Sequence, residues 1–160
     1  MDETYLKVAG DWVYVYRAID EHGQIVDVYV STERATDEAA AFFRRAIEAT
    51  GVVPSEVTTD CAAAYPPALA TVLPGVQHET GKMLQQRIER DHQHLKGRVR
   101  GMRGFKTLAG ARVLCRAHAF LRNLRSGGYD RDAPLAPSSL LGVPAMVAAW
   151  DALTADLLMW

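Results

Sequence analysis

Residues 2–30 read DETYLKVAGDWVYVYRAIDEHGQIVDVYV and decide the fold, because they predict three consecutive strands. The segments Thr4–Val8, Trp12–Ile19 and Gln24–Val30 are rich in valine, isoleucine, tyrosine and tryptophan, which favour strands. Turn clusters at 9–11 (AGD) and 20–23 (DEHG) separate them. The strands are therefore expected to pair as an antiparallel meander.

The middle strand alternates, so its two faces have different side chains. One face carries Trp12, Tyr14 and Tyr16, and the other carries Val13, Val15 and Arg17. An alternating strand of this kind separates two different packing environments. Core or sheet packing is the favoured role of the aromatic face.

Helices and short strands follow the meander. Thr36 is predicted to cap a helix that ends at Gly51, and Glu56–Thr59 is predicted as a strand. The later predictions are a helix over Ala62–Val72, a short strand over Val76–His78, and helices from Gln85 to about Arg98 and from about Thr107 to Leu124. This order is that of an RNase H-like (retroviral-integrase-like) α/β fold: a mixed sheet that starts with three antiparallel strands, and helices on both faces.

The predicted domain organisation is a core over residues 1–126 and an appendage over residues 127–160. The appendage is interpreted as a proline-containing linker followed by an amphipathic helix, Val143–Leu158. No signal peptide and no membrane-spanning segment is expected from the sequence. Cys61 and Cys115 match no metal-ligand spacing and are interpreted as free thiols.

Charge is distributed very unevenly along the chain. Residues 1–81 contain 5 Lys or Arg and 13 Asp or Glu, whereas residues 82–125 contain 12 Lys or Arg and only 2 acidic residues, although the whole chain has a net charge of −1. The basic segment indicates a polyanionic partner. The alternative is a solvated helical face that pairs with the acidic half.

Three carboxylates are the candidate chemical groups: Asp2 at the opening of the first strand-like segment, Asp60 at the end of the fourth strand, and Glu89 early in the basic helix. Carboxylate oxygens are the ligands that Mg²⁺ and Mn²⁺ prefer, and two such ions can hold the attacking and leaving oxygens of a phosphodiester. Each residue also has an ordinary interpretation. Asp60 could cap a helix, Glu89 could pair with a neighbouring arginine, and Asp2 could be a frayed terminal residue.

Four stretches carry a resemblance to a known family: residues 2–31, 57–69 (VTTDCAAAYPPAL), 88–107 (IERDHQHLKGRVRGMRGFKT) and 118–125 (HAFLRNLR). They resemble the DDE transposases of bacterial insertion sequences, specifically insertion-sequence family six. The resemblance implies that Asp2, Asp60 and Glu89 are catalytic and hold two Mg²⁺ or Mn²⁺ ions. It also implies cleavage of a DNA strand with water, followed by attack of the freed 3′-hydroxyl on target DNA.

The same resemblance implies partners and further site residues. The expected partner is DNA, both the element ends and the target, bound by a homo-oligomer in the bacterial cytoplasm at the nucleoid and without a membrane. Lys96 is expected to contact DNA at the active site. His92 is interpreted as a structural or DNA-contacting side chain next to the site. The candidate phosphate contacts are Arg87, Arg90, Arg98, Arg100, Arg103 and Lys106. Base stacking is the alternative role of Trp12, Tyr14 and Tyr16.

Two departures from the family pattern bear on activity. The helix-turn-helix that usually precedes the first strand is not in this sequence, so an N-terminally truncated copy is expected. Gln85-Gln86 stands where the family usually has two asparagines, and Cys61 stands where it has a basic residue. One alternative is therefore a catalytically inactive remnant that binds DNA or full-length subunits. A second is an RNase H-like nuclease that acts on RNA or on junctions.

Overall fold

The computed structural model of the protein describes residues 1–81 and 86–126, with only the backbone described for Gln86 and Arg87. In chain order the elements are β1 (Asp2–Val8), β2 (Asp11–Ile19), β3 (Ile25–Ser31), α1 (Thr36–Thr50), β4 (Glu56–Thr59), α2 (Tyr65–Val72), β5 (Gln77–Thr80), α3 (Gln86–Gly101) and α4 (Leu108–Arg125). The predicted α/β class, with three antiparallel strands first, is confirmed. The predicted linker and final helix lie outside the described residues.

The strands form two hydrogen-bonded groups. β1 pairs with β2 and β2 with β3, both antiparallel, in a register that places Asp2 opposite Arg17. β4 and β5 pair in parallel. The amino group of Met1 donates a hydrogen bond of 2.5 Å to the carbonyl oxygen of Thr58, so the start of β1 lies beside β4. Asp2 and the end of β4 are therefore neighbours, although almost sixty residues separate them.

Two apolar clusters cover the two faces of the β1–β3 sheet. One is mainly aliphatic and joins the strands to α3 and α4; it includes Val13, Val15 and Leu95. The other is aromatic and joins the strands to α1 and α2; it includes Tyr16. The predicted alternation of β2 is therefore confirmed for these residues. Trp12 departs from the favoured packing role, because 53% of its surface is exposed.

Element ends follow local chemistry. Gly51 ends α1 in a left-handed conformation (φ 66°), as its position predicts. The prediction for Thr36 was one residue off: Ala35 occupies the N-cap and Thr36 is the first helical residue. α2 begins at Tyr65 rather than Ala62, with a proline in its first turn, where the missing N–H costs nothing. Within the described residues, none of the helices is long and apolar enough to cross a membrane.

The connection between α3 and α4 runs along the edge of β1. The backbone N–H of Ala9 donates to the carbonyl of Phe105 at 2.8 Å, and the Phe105 N–H donates to the carbonyl of Lys7 at 3.4 Å. Arg103 and Gly104 have positive φ values (58° and 79°), which let the chain turn into this position. An edge strand leaves unpaired polar groups, so this segment satisfies some of them and ties the end of α3 to β1.

Asn123 fastens α4 to the edge strand β3. The Ile25 N–H donates to Asn123 Oδ1, and Asn123 Nδ2 donates to the Ile25 carbonyl, both at 2.8 Å and both buried.

We expect Asn123→Leu to lower the free energy of unfolding by about 2–4 kcal/mol, because both Ile25 groups lose a buried partner. Urea denaturation measures the change. The exposed Ser126 hydroxyl bonds to the Arg122 carbonyl, so Ser126→Ala should cost under about 0.5 kcal/mol. Equal losses of stability in the two variants would contradict the role of Asn123 as the buried partner of Ile25.

Candidate metal and nucleic-acid site

Two of the three predicted carboxylates meet where β1 begins beside the first turns of α3. Asp2, Glu89 and His92 each offer one ligand atom, and these atoms all lie within 4.8 Å of one another. Asp2 and His92 are buried and Glu89 is exposed. The Nδ1 atom of His92 lies 3.6 Å from Asp2 Oδ2, longer than a normal hydrogen bond. The site therefore has a buried floor and one carboxylate that faces solvent.

Asp60 follows the end of β4 and borders this group without belonging to it. Its Oδ1 accepts a hydrogen bond of 3.0 Å from the N–H of Ala62, an Asx-type turn. The interpretation of Asp60 as a helix cap is wrong, because α2 starts later and Ala64 occupies its N-cap. The negative charge of Asp60 acts on Asp2, as the pKa of Asp2 shows. All three predicted carboxylates thus influence one region, with the pair Asp2 and Glu89 at its centre.

Burial sets the charge states at this site. Burial and then the charge of Asp60 raise the pKa of Asp2 to about 6. Burial and then the positive charges of Arg17 and Lys96 lower the pKa of His92 to about 3, so its imidazole is neutral at pH 7. Its buried Nε2 has no hydrogen-bond partner in the described part of the chain. A neutral ring adds no positive charge next to Asp2 and Glu89, so their carboxylates and the imidazole can all serve as ligands of a cation.

A buried ion-pair network supports the site from behind. Arg17 is fully buried and forms an ion pair with Asp91, whose other oxygen lies 3.2 Å from Arg122 Nε. Arg17 Nη2 also lies 3.3 Å from His118 Nδ1. Arg17 faces Asp2 across the β1–β2 register, and Asp91 is two residues after Glu89. The network therefore fixes α3 against the sheet at the position where the carboxylates meet.

Sequence reasoning missed this network. Asp91 lies in one of the stretches that carry the resemblance, residues 88–107, and Arg17 is predicted on one face of a strand, but no local pattern pairs them. The available signal was the charge itself, because an arginine between Val15 and Ile19 on an apolar strand face needs a buried partner.

The candidate DNA-contacting residues do not share one surface. Glu89, Lys96 and Arg100 have spacings of seven and four residues, so they follow one another along the same side of α3. The Nζ of Lys96 lies 4.9 Å from the centre of the Tyr5 ring. Arg98 is half a turn away from Glu89, and its charge helps to lower the pKa of His118 of α4. Lys96 and Arg100 are therefore the two placed nearest the line of the carboxylate.

The remaining candidates have varied positions. Arg90 lines a cavity of about 210 Å³ with Asp91 of α3 and Arg122 of α4. Arg103 and Lys106 are exposed in the connection to α4. His92 is only 2% exposed, which favours the structural role next to the site over a contact with DNA. The side chain of Arg87 lies outside the described residues, as does Gln85, whereas Cys61 is exposed.

Comparison with known proteins gives concordant matches. A transposase family model described as "DDE domain" matches residues 1–128. The transposase for insertion sequence-like element IS431mec of Staphylococcus aureus is 40% identical over 103 residues, covering 61% of this chain and 46% of the relative. The transposase for element IS257 in transposon Tn4003 of the same species gives the same values. The chain spans about half the length of these curated relatives.

Two further matches have lower sequence identity and are less informative. An uncharacterized protein of Yersinia pseudotuberculosis is 35% identical over 75 residues, covering 46% of this chain and 70% of that protein. A chain of the simian T-cell lymphotropic virus intasome, solved in complex with a PP2A regulatory subunit, aligns with a TM-score of 0.46 and 17% identity over 62% of this chain and 40% of its own.

The family model covers most of the sequence, and this chain belongs to the DDE domain family of insertion-sequence transposases.

Proposed function

We propose that this chain catalyses metal-dependent cleavage of a DNA strand and transfer of the resulting 3′ end to target DNA. The observation that carries the proposal is the approach of Asp2 and Glu89, which are far apart in the sequence, to within 4.8 Å. Asp60 borders them and acts electrostatically on Asp2. Family membership supplies the chemical class.

The residues fit a hard divalent cation. The donor set is dominated by carboxylate oxygens, which suit Mg²⁺ or Mn²⁺ better than softer metals. Burial, and then the charge of Asp60, raise the pKa of Asp2, and a bound cation would favour its ionised form. Asp2, Asp60 and Glu89 would hold two ions. Bound there, the ions would neutralise charge on the attacking and leaving oxygens of the phosphodiester.

The chain's own residues hold the geometry that this chemistry needs. The backbone N–H of Glu3 donates to Asp2 Oδ1 at 2.8 Å, and the N–H of Ala62 fixes Asp60. Arg17 and Asp91 fix the helix that carries Glu89. Phosphoryl transfer depends mainly on positioning and on charge stabilisation. No separate nucleophilic side chain is required.

Two cations of α3, the partly exposed Lys96 and the exposed Arg100, would bind the DNA backbone. Lys96 lies two helical turns after Glu89 and Arg100 one further turn on. Phosphates bound along this line would lead a strand past the carboxylates. The proposed substrates are the ends of the element and its target, in the bacterial cytoplasm, with a homo-oligomer that holds two ends together.

Mn²⁺ binding followed by isothermal titration calorimetry tests the metal site. We expect Asp60→Asn to weaken binding by at least about tenfold, because one of the three carboxylates is lost. Asp37→Asn, which removes an exposed carboxylate of α1, should leave binding unchanged. The titration should reach millimolar Mn²⁺, because such sites are weak without DNA. If Asp60→Asn leaves the Mn²⁺ affinity unchanged, the proposed three-carboxylate metal site is contradicted. A fragment that binds DNA without cleaving it would then be the better description.

A further inference from the structure

Two large aromatic side chains lie outside both cores. Tyr5 of β1 is 54% exposed and Trp12 of β2 is 53% exposed. Their ring centres are 5.0 Å apart, and the rings meet edge to face at 84°. Aromatic residues usually contribute to stability by burying 150–250 Å² each. The other strand aromatics do so, since Tyr16 and Tyr29 pack with α1 on the aromatic cluster. The exposed pair therefore needs another explanation.

A lysine lies over each ring. The Nζ of Lys7 lies 4.9 Å from the centre of the Trp12 ring, and the Nζ of Lys96 lies 4.9 Å from the centre of the Tyr5 ring. In the part of the chain that is described, neither ammonium group forms an ion pair with a carboxylate. We refer to Lys7, Trp12, Tyr5 and Lys96 as the aromatic–lysine array. It offers flat apolar rings and uncompensated positive charge on one surface.

The aromatic–lysine array lies at a defined distance from the carboxylates. Asp2 of β1 meets Glu89 and His92 of α3, and three residues further along β1 Tyr5 meets Lys96 of the same helix. Three strand residues span about 10 Å and seven helical residues span about 10.5 Å. The two elements therefore run side by side in the same direction. Asp2 and Tyr5 project from opposite faces of β1, so this separation is a rise along the strand, equal to about three nucleotides of a stacked strand at 3.4 Å each.

We propose that the aromatic–lysine array binds unpaired nucleotides of a single DNA strand next to the site of cleavage. A base would stack on the exposed ring of Trp12 or Tyr5, while Lys7 and Lys96 bind the adjoining phosphates. This inference rests on the proposed function, because it assumes a DNA substrate at the carboxylates. Bases in an intact duplex are already stacked on one another, so the rings select a separated strand. A purely apolar protein partner would have to desolvate two ammonium groups, which disfavours that occupant.

Fluorescence anisotropy with a labelled 12-nucleotide oligothymidine, in EDTA, tests the aromatic–lysine array. Trp12→Leu should weaken binding by about 5- to 150-fold, the effect of one lost stacked base. Trp12→Phe keeps an aromatic face and should retain most of the affinity. Binding to a 12-base-pair duplex should change less than about twofold in both variants. Circular dichroism of each variant checks that the fold is intact.

Each contrary outcome identifies its own error. Equal losses on the single strand and the duplex would overturn base stacking and leave only phosphate contacts. An unchanged affinity of Trp12→Leu together with an altered oligomeric state in size-exclusion chromatography would show that the pair is a protein interface. Because the assay needs neither metal nor turnover, a protein that binds oligothymidine through Trp12 but fails to cleave DNA would contradict the proposed function alone. If both Trp12 variants cleave DNA at the rate of the unmodified chain and bind oligothymidine with unchanged affinity, the result would contradict this inference but not the proposed function.

Discussion

Replacement of Glu89 by glutamine is expected to reduce the rate of DNA strand cleavage by about 10²–10³-fold, the usual effect of removing one charge-stabilising group from a transition state. Glutamine keeps the size of the side chain but loses the negative charge that would hold the metal ion. Glu89 is exposed, so the fold should not change. Nicking of a supercoiled plasmid that carries the sequences flanking the coding region, in Mn²⁺, measures the rate.

A second glutamate-to-glutamine substitution, outside the proposed site, tests whether the loss of cleavage is specific to Glu89 or follows from the loss of any negative charge. Glu48 is an exposed glutamate on α1 and is not one of the proposed metal ligands, so Glu48→Gln should cleave at the rate of the unmodified chain. If Glu89→Gln kept more than a tenth of the activity, the assignment of Glu89 as a metal ligand would fail. If the unmodified chain bound DNA but never nicked it, the inactive DNA-binding fragment would be the better description.

The substitution Asp91→Asn is expected to lower the free energy of unfolding by about 3–5 kcal/mol, the cost of leaving a buried charge without its partner. Arg17 is fully buried, and Asp91 neutralises it. Burial lowers the pKa of Arg17 only to about 10, so the guanidinium stays charged at pH 7 and cannot escape the loss by deprotonation. Urea denaturation followed by circular dichroism measures the change.

Asp27→Asn is the control, because Asp27 pairs with Arg45 at 3.1 Å in a partly exposed position. Pairs of this type contribute about 0–1 kcal/mol. Similar losses in the two variants would show that the Arg17 pair has no special role. The double replacement Arg17→Met with Asp91→Leu removes both charges and should recover much of the loss. Continued instability of that variant would point to packing rather than charge.

Short-range patterns were enough to predict most of the elements. The strand Glu56–Thr59 has the predicted bounds, because threonine and valine favour strands and the flanking residues do not. Thr107 caps α4 through its side chain, which accepts from the Gly110 N–H. The first strand begins two residues earlier than predicted, since Asp2 and Glu3 are polar and strand propensity alone does not favour them. Pairing with β2 overrides that preference.

The site was less accessible to pattern reasoning, because it is built from contacts between distant segments. The resemblance selected Asp2, Asp60 and Glu89, but nothing local indicated that Asp60 would border the other two rather than join them. Arg17 and Asp91 are 74 residues apart, and only packing shows that they meet. The exposure of Trp12 was also unpredictable, because alternation assigns a residue to a face of a strand without saying whether that face is covered near the strand's end.

The helices that cover the aliphatic face of the β1–β3 sheet are synthesised well after the strands themselves. Strands β1–β3 are complete by Ser31, but α3 begins only at Gln86 and Asn123 bonds to a residue 98 positions earlier. At about 5–20 residues per second, the ribosome needs roughly 3–11 s to make the intervening chain. During that interval the aliphatic face that includes Leu6, Val8 and Val13 has no helix to cover it. We therefore expect the nascent meander to expose an apolar face until α3 and α4 have been made, a stage that favours aggregation.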